Sequence, residues 1–322
     1  MTDTQIFDRV AIIGIGLIGS SVAQAIRANG LAGHVACHDA DADVRARAAA
    51  LDIVDSMHDD LGGAVTNADL VVVATPVGAC GEVAAAMSEY LKPGAIVTDV
   101  GSVKGSVITS MAPHIPDGVH LVPGHPVAGT EHSGPESGFA ELFQNRFSIL
   151  TPPPGADGDA VSTLERLWLG MGADVEVMDA EHHDRVLAIT SHLPHLIAYT
   201  IVATAADLET ELEAQPRDDD VVTTREVIKY SAGGFRDFTR IAASDPVMWR
   251  DVFLLNKDAV LEMLGRFTED LTALQRAIRK DDGDALFEMF TRTRDIRRGV
   301  IEARQAGRFQ YTENGKSSED DS

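Results

Sequence analysis

From Arg9 to Met178, short apolar runs rich in β-branched residues alternate with stretches of helical spacing, a pattern that predicts a parallel sheet with crossover helices. Strands are expected at Val10–Ile13, His34–Cys37, Leu70–Ala74, Ala95–Thr98, His120–Val122, Phe147–Leu150 and Asp174–Val177. Helices are expected between them at Leu17–Ala28, Asp41–Leu51, Gly78–Tyr90, Lys104–Met111 and Asp159–Leu169. After Asp179 the strand signal stops. The segment AEHHDRVLAITSHLPHLIAYTIVATAADLETELE, then Asp245–Arg279 and Asp284–Ala306, carry apolar residues at helical spacing, with Asp245 and Pro246 forming a helix start. The fold class expected is therefore α/β, a Rossmann-like dinucleotide-binding domain over residues 1–179, followed by an all-helical domain over residues 180–310. The segment around Pro216 and the acidic tail 311–322 are polar and expected to be disordered.

The first long helix is apolar on several faces, which calls for burial against another helix or a second subunit. Its core, Val186–Ala206, approaches the ~20 residues that span a bilayer. Ser191, His192, Pro194 and His195 sit near its centre and would be costly in hydrocarbon, so a buried helix of a soluble protein is expected. Val10–Gly19 has the length of a signal-peptide core, but Asp3 and Asp8 precede it and no basic n-region or cleavage site accompanies it. The 322 residues suit two domains, and 44% apolar residues suffice for a full core. Cys37 and Cys80 cannot make a disulfide framework, so the expected compartment is the cytoplasm. A formal charge of -23 disfavours nucleic acid or an anionic membrane surface as partner. That charge is unevenly spread: Asp207–Asp220 carries a net -6 and Tyr311–Ser322 a net -3, whereas Val221–Arg250 is net +2.

The first strand runs into Gly14-Ile15-Gly16-Leu17-Ile18-Gly19 and then a helix, the G-x-G-x-x-G dinucleotide fingerprint in its required context. Gly14 permits the tight turn, Gly16 the approach of a pyrophosphate, and Gly19 close packing of helix on strand. Asp39 follows at the end of the second strand, where a carboxylate accepts hydrogen bonds from a ribose 2'-hydroxyl and repels a 2'-phosphate. The expected cofactor is accordingly NAD in preference to NADP. Thr75 and Pro76 follow the strand Leu70–Ala74 at the edge where such a cofactor crosses. Ser102 and Lys104 end the next strand in the same layer, Lys104 either facing the nicotinamide or substrate or simply solvated.

Gly124-His125-Pro126-Val127-Ala128-Gly129-Thr130-Glu131-His132-Ser133-Gly134 is too rich in Gly and Pro for regular structure and is expected to be a loop. It places His125 at the active edge, where a histidine can take a proton from an alcohol as hydride leaves its carbon. His192 and His195, three apart, share a helix face, but no cysteine or carboxylate cluster makes them a metal site. They are read as a polar patch facing a cleft, and His182 and His183 as structural. Arg225, Lys229, Arg236, Arg240 and Arg250 make the stretch up to Trp249 and Arg250 the place to hold an anion.

Together, GIGLIGSS, DVGSVKG, GHPVAGTEHSG, SHLPH and GGFRDFTRIAASDPVMWRDVF resemble the prephenate dehydrogenase family, including its cyclohexadienyl and arogenate dehydrogenase members, from about Val10 to Gly307. The resemblance implies NAD-dependent oxidative decarboxylation of prephenate or arogenate in tyrosine biosynthesis by a homodimer joined through the helical domain. It implies that His125 takes the ring hydroxyl's proton, that Ser102 orients that hydroxyl, and that Arg240 binds a substrate carboxylate. His195, Gly233 and Trp249 would line the side-chain end of the pocket. A β-hydroxyacid dehydrogenase is a second reading, requiring a catalytic lysine such as Lys229 or Lys257, and a non-catalytic NAD sensor a third.

Overall fold

The computed structural model of the chain describes residues 4–213 and 232–302, with 212, 213 and 300–302 described by their backbone alone. The segment around Pro216, Arg225, Lys229 and the tail 311–322 lie outside the described residues. The chain divides into two compact units, the first ending at Met263 and the second beginning at Leu264.

In the first unit, β1 (Phe7–Ile13), β2 (Ala32–His38), β3 (Ser56–Met57), β4 (Leu70–Val73), β5 (Ile96–Asp99) and β6 (His120–Leu121) form one sheet. Its order is β3-β2-β1-β4-β5-β6, with every pair parallel. Successive residues of β1 and β4 enter opposite cores, so both faces of these strands are buried and the sequence reads as a continuous apolar run. On one face Val10, Ile12, Leu70 and Val72 meet Val22 and Ile26 of α1 (Leu17–Ala28) and Trp168 of α6 (Gly158–Gly170). On the other, Ala11, Ile13, Val71 and Val73 meet Met87 of α4 (Cys80–Met87) and Met111 of α5 (Gly105–Met111). Asp41 and Asp157 cap α2 (Ala42–Ala50) and α6, accepting from backbone N–H groups of the first turn. β3 and α3 (Leu61–Val65) were not anticipated, being too short to show a period.

The last two expected strands leave the parallel sheet. β8 (Phe147–Leu150) and β9 (Asp174–Val177) join β7 (Gly124–Pro126) in a separate sheet of order β7-β8-β9. The segment expected as pure loop thus begins as an edge strand, antiparallel to β8 with His125 opposite Ile149. Edge pairing tolerates the glycine and proline that a central strand would not.

The expected long helix is broken into α7 (Ala180–Leu187), a π-helical turn over Ala188–His192, and α8 (Leu193–Glu213). Pro194 has no N–H to give and would clash with the Thr190 carbonyl in a regular helix; the wider turn before it accommodates this. Only 28% of the most apolar window of Ala180–Glu211 is buried, although by length and composition the run could cross a membrane. The burial its composition calls for is not supplied by the described residues. The helix Pro246–Leu255 starts as expected, with Asp245 accepting from the Met248 N–H at 2.8 Å. It stops at Asn256, before the helix Lys257–Arg279, where one continuous helix was anticipated. Trp249 and Val252 are buried in the same core as Met87 and Met111, which draws this helix into the first unit.

Lys104 departs from both readings of it. Its side chain is fully buried, with Nζ donating to Asp99 Oδ2 and, at 2.6 Å, to the Gly124 carbonyl. It pins the end of β5 to the start of β7, one residue from His125. In the second unit, the helix ending at Arg279 and the helix Gly283–Glu302 are joined by a turn in which Asp281 has a φ of +53°. Both expose apolar side chains, Phe287 by 72% and Ile296 by 63% on the latter.

Removing one partner of a buried ion pair leaves an uncompensated charge, at a cost of about 3–5 kcal/mol. Lys104→Met should therefore lower the unfolding free energy in urea by about that amount, and a loss below ~1 kcal/mol would contradict the buried pair.

Candidate active site

The glycine turn separates structural need from ligand need. Gly14, at a φ of +96°, would put a Cβ 2.6 Å from the Ala74 carbonyl oxygen, and a Cβ on Gly19 would lie 2.0 Å from the Gly14 carbonyl oxygen. Both glycines are demanded by the protein itself. Gly16 is not: its Cβ would meet nothing within 4 Å, and as N-cap of α1 it supplies no side chain to the helix's first N–H groups. Those groups, with the positive end of the helix dipole, face open space of the kind a pyrophosphate fills. Ile15 is buried and donates its N–H to Asp39 Oδ2 at 2.9 Å, while Leu17 and Ile18 pack on the first core. Asp39 Oδ1 accepts from the Asp41 N–H at 2.9 Å, so the carboxylate braces the turn and retains lone pairs for ribose hydroxyls. Thr75 and Pro76 continue from β4 beside Gly14, at the switch between β1 and β4 where open α/β sheets bind ligands. The donors, the acid and the cradle suit a dinucleotide.

Behind this edge lies a buried polar cluster. His125 Nδ1 is 2.8 Å from His183 Nε2, and His183 Nδ1 is 2.8 Å from Asp184 Oδ1. Asp184 also accepts from the Lys104 and Gly105 N–H groups at 2.8 Å each, joining α7 to the start of α5. Burial drives the His125 pKa well below its ordinary value, with His183, Lys104 and His192 adding to the effect. His183 is lowered mainly by burial against the pull of Asp184. Asp184 remains below the usual carboxylate range despite its burial, because His183 and two backbone N–H groups bind its anion. Reading His183 as merely structural missed this bond, which spans 58 residues and leaves no local pattern.

The next layer is aromatic. Asn256 Nδ2 donates to the Asp184 carbonyl at 2.9 Å and lies 3.1 Å from His192 Nδ1. His192 is fully buried, and burial lowers its pKa to about 4; its ring also faces the backbone of Ser102, which sits half-buried in the turn after β5. His195 stacks on Trp249 with centroids 3.6 Å apart, and His192 meets the same indole edge-on at 6.1 Å. The two histidines thus share one tryptophan.

Arg240 extends the cluster outward. Its charge acts on His195, and its guanidinium donates to Glu131 Oε2 at 2.8 Å. Glu131 is held below the usual carboxylate range by its own backbone N–H and by Arg240. The loop carrying it is anchored on α2 through Arg47 and Glu136 at 2.8 Å. Gly233 opens the helix Gly233–Thr239, which leads directly to Arg240. His125, Ser102, His192, His195, Trp249 and Arg240 therefore form one connected group, and Gly233 lies on the helix that leads to Arg240. Lys257, one lysine considered for a different dehydrogenase chemistry, is exposed.

Residues 22–177 match the family description "Prephenate dehydrogenase, nucleotide-binding domain" and residues 179–292 match "Prephenate dehydrogenase, dimerization domain". A cyclohexadienyl dehydrogenase of Zymomonas mobilis is 44% identical over 292 residues, covering 91% of this chain and 96% of its own. The chain belongs to the prephenate dehydrogenase family. A prephenate dehydrogenase of Bacillus subtilis is 34% identical over 92% of this chain and 77% of its own length. The crystal structure of prephenate dehydrogenase from A. aeolicus, in complex with hydroxyphenyl propionate and NAD+, superposes with a TM-score of 0.80. It is 33% identical and covers 91% of this chain and 98% of that one. As a member of this family, the chain is an NAD-dependent oxidoreductase whose Rossmann-like domain precedes a helical one.

Gly16 offers a clean test, since a side chain there meets cofactor and not protein. Gly16→Val should cost no more than the ~0.5–2 kcal/mol of a poorer N-cap in urea while raising the NAD dissociation constant roughly tenfold or more. An unchanged dissociation constant by calorimetric titration would move the pyrophosphate elsewhere.

Proposed function

We propose that the chain oxidatively decarboxylates prephenate, arogenate or both with NAD in tyrosine biosynthesis, and that His125 is the group that takes the ring hydroxyl's proton. The observation that carries this is a buried histidine whose pKa is driven well below its ordinary value, hydrogen-bonded to His183 and linked through His192, Trp249 and His195 to Arg240. The relatives named above as prephenate and cyclohexadienyl dehydrogenases support the substrate class. In this reading hydride passes from the hydroxyl-bearing ring carbon to the nicotinamide, and Ser102 orients the hydroxyl. Arg240 releases Glu131 to hold a substrate carboxylate, a charge-assisted bond that a site shielded from water strengthens. His195 and Trp249 present a flat wall to the substrate, with Gly233 nearby. The acid of a substrate thus meets a local cation, whatever the sign of the whole chain.

The helical region, whose match describes a dimerization domain, is proposed to pair two copies of the chain in the cytoplasm. Support comes from the exposed Ile201, Val202 and Leu208 on α8, and separately from Phe287, Phe290 and Ile296 in the second unit.

Incubation with NAD and either prephenate or arogenate should produce the absorbance of the reduced cofactor. No signal with either substrate, despite measurable NAD binding, would favour a sensor. His125→Asn should lower kcat about a hundredfold with little change in NAD affinity, and near wild-type turnover would remove it from the mechanism. Arg240→Ala should mainly raise KM for the substrate, whereas an unchanged KM would refute its role.

The pH profile carries a sign. His125 must be neutral to accept a proton, and its pKa lies well below the ordinary 6.5, so the acid limb that a solvated histidine would give near that value moves down. kcat/KM should stay level as pH falls through ~6.5 and decline only in more acidic buffer. A decline centred at about 6.5 or above would mean a solvated histidine.

A further inference from the structure

The hydrogen bonds around Asp184 determine where each ring hydrogen sits. The carboxylate receives two backbone N–H groups and is ionised, so it can only accept, and His183 Nδ1 must carry a hydrogen to lie 2.8 Å from it. A neutral imidazole has one such hydrogen, which leaves His183 Nε2 bare. The 2.8 Å contact between His183 Nε2 and His125 Nδ1 then requires the hydrogen on His125, and His125 Nε2 is left bare in turn. These hydrogen bonds thus reduce two possible tautomers of the proposed base to one.

We infer that His183 and Asp184 are positioning residues for the proton-transfer step: they hold His125 with its hydrogen on Nδ1, present Nε2 as the acceptor, and share the charge that His125 gains. This rests on the reading of His125 as the base. As hydride leaves the ring carbon with its electron pair for the nicotinamide, the hydroxyl O–H bond breaks. Its electron pair becomes the second bond of a carbonyl, and its proton forms a bond to His125 Nε2. The imidazolium so formed donates Nδ1–H to His183 Nε2, whose own Nδ1–H points at the Asp184 anion. When CO2 departs and its bonding pair enters the ring, the carbonyl oxygen takes the proton back from His125 Nε2 as the ring becomes aromatic. The proton is borrowed and returned, which suits a base buried away from solvent.

The charged neighbours leave Asp184 as the counter-charge. His125 faces His183, Lys104 and His192, and His183 faces Asp184, Lys104 and Asp99. Lys104 is already paired with Asp99. Among the described residues, the two histidines therefore look to Asp184 for an anion held by backbone N–H groups and not by a lysine or arginine side chain.

The test uses the full-length protein with 15N-labelled histidine. In the wild type, the His125 signals, assigned by their loss in His125→Asn, should show a protonated Nδ1 and a bare Nε2. His183→Leu, which keeps bulk but offers no acceptor, should lower kcat roughly tenfold to a hundredfold with KM and the NAD dissociation constant within about twofold. His183→Gln, whose carboxamide oxygen can accept from His125 Nδ1, should recover part of that loss. A hydrogen on His125 Nε2 in the wild-type spectrum, or an unchanged kcat in folded His183→Leu, would overturn the inference. Should His183→Leu not fold, the wild-type spectrum and His183→Gln still decide it. If the wild type reduces no NAD with either substrate, the functional reading fails, while the spectrum still reports the tautomer on its own.

Discussion

The carboxylate of Asp184 is the constraint on which the site depends. From the first turns of α7 it accepts the N–H groups of Lys104 and Gly105, and so fastens the helical region to the end of the turn that follows β5. The same carboxylate orients His183, and through it His125, while the carbonyl of Asp184 receives Asn256 and so fixes the ring of His192. One residue thereby sets the position of three histidines, His125 from β7 and His183 and His192 from the helical run that begins with α7. A hydrogen bond to a charged group contributes more than a neutral one, and here several converge where water cannot compete.

What local chemistry controls was legible from residues alone. The fingerprint turn follows from the sterics of Gly14 and Gly19, and the position of Asp39 follows from the end of β2. Asp245 and Pro246 mark a helix start because cap and first-turn preferences are decided within four residues. Alternation of apolar runs with helical spacing located five of the six strands of the parallel sheet, and β3, two residues long, has no period to find.

What depends on distant partners was not legible. A fully buried lysine looks like any first-turn lysine until Asp99 and Gly124 are seen around it. His183 and Asp184 form an ordinary pair of polar residues on a helix, and their meaning lies in bonds that cross 58 and 80 positions of the chain. β7 was obscured for a different reason: glycine and proline argue against a strand in the middle of a sheet, but not at its edge. The π-turn before Pro194 was likewise hidden, since spacing alone does not distinguish it from one more helical turn.

Charge explains why the buried cluster tolerates a proton. Asp99 and Lys104 contribute no net charge together, because a proton shared between them leaves the sum at zero on whichever atom it rests. Asp184, fixed as an anion by its backbone donors, gives the cluster a net charge of one negative while its histidines are neutral. A single added proton makes the cluster neutral, the state that burial in a low dielectric favours. In the resting site the desolvation of each imidazolium, with Lys104 nearby, outweighs that gain, and both histidines stay unprotonated. In the proposed reaction, loss of hydride makes the hydroxyl acidic at the moment His125 is to accept its proton. The overall charge of -23 has no part in this balance, because exposed acids beyond ~8 Å are screened by salt and the buried cluster is not.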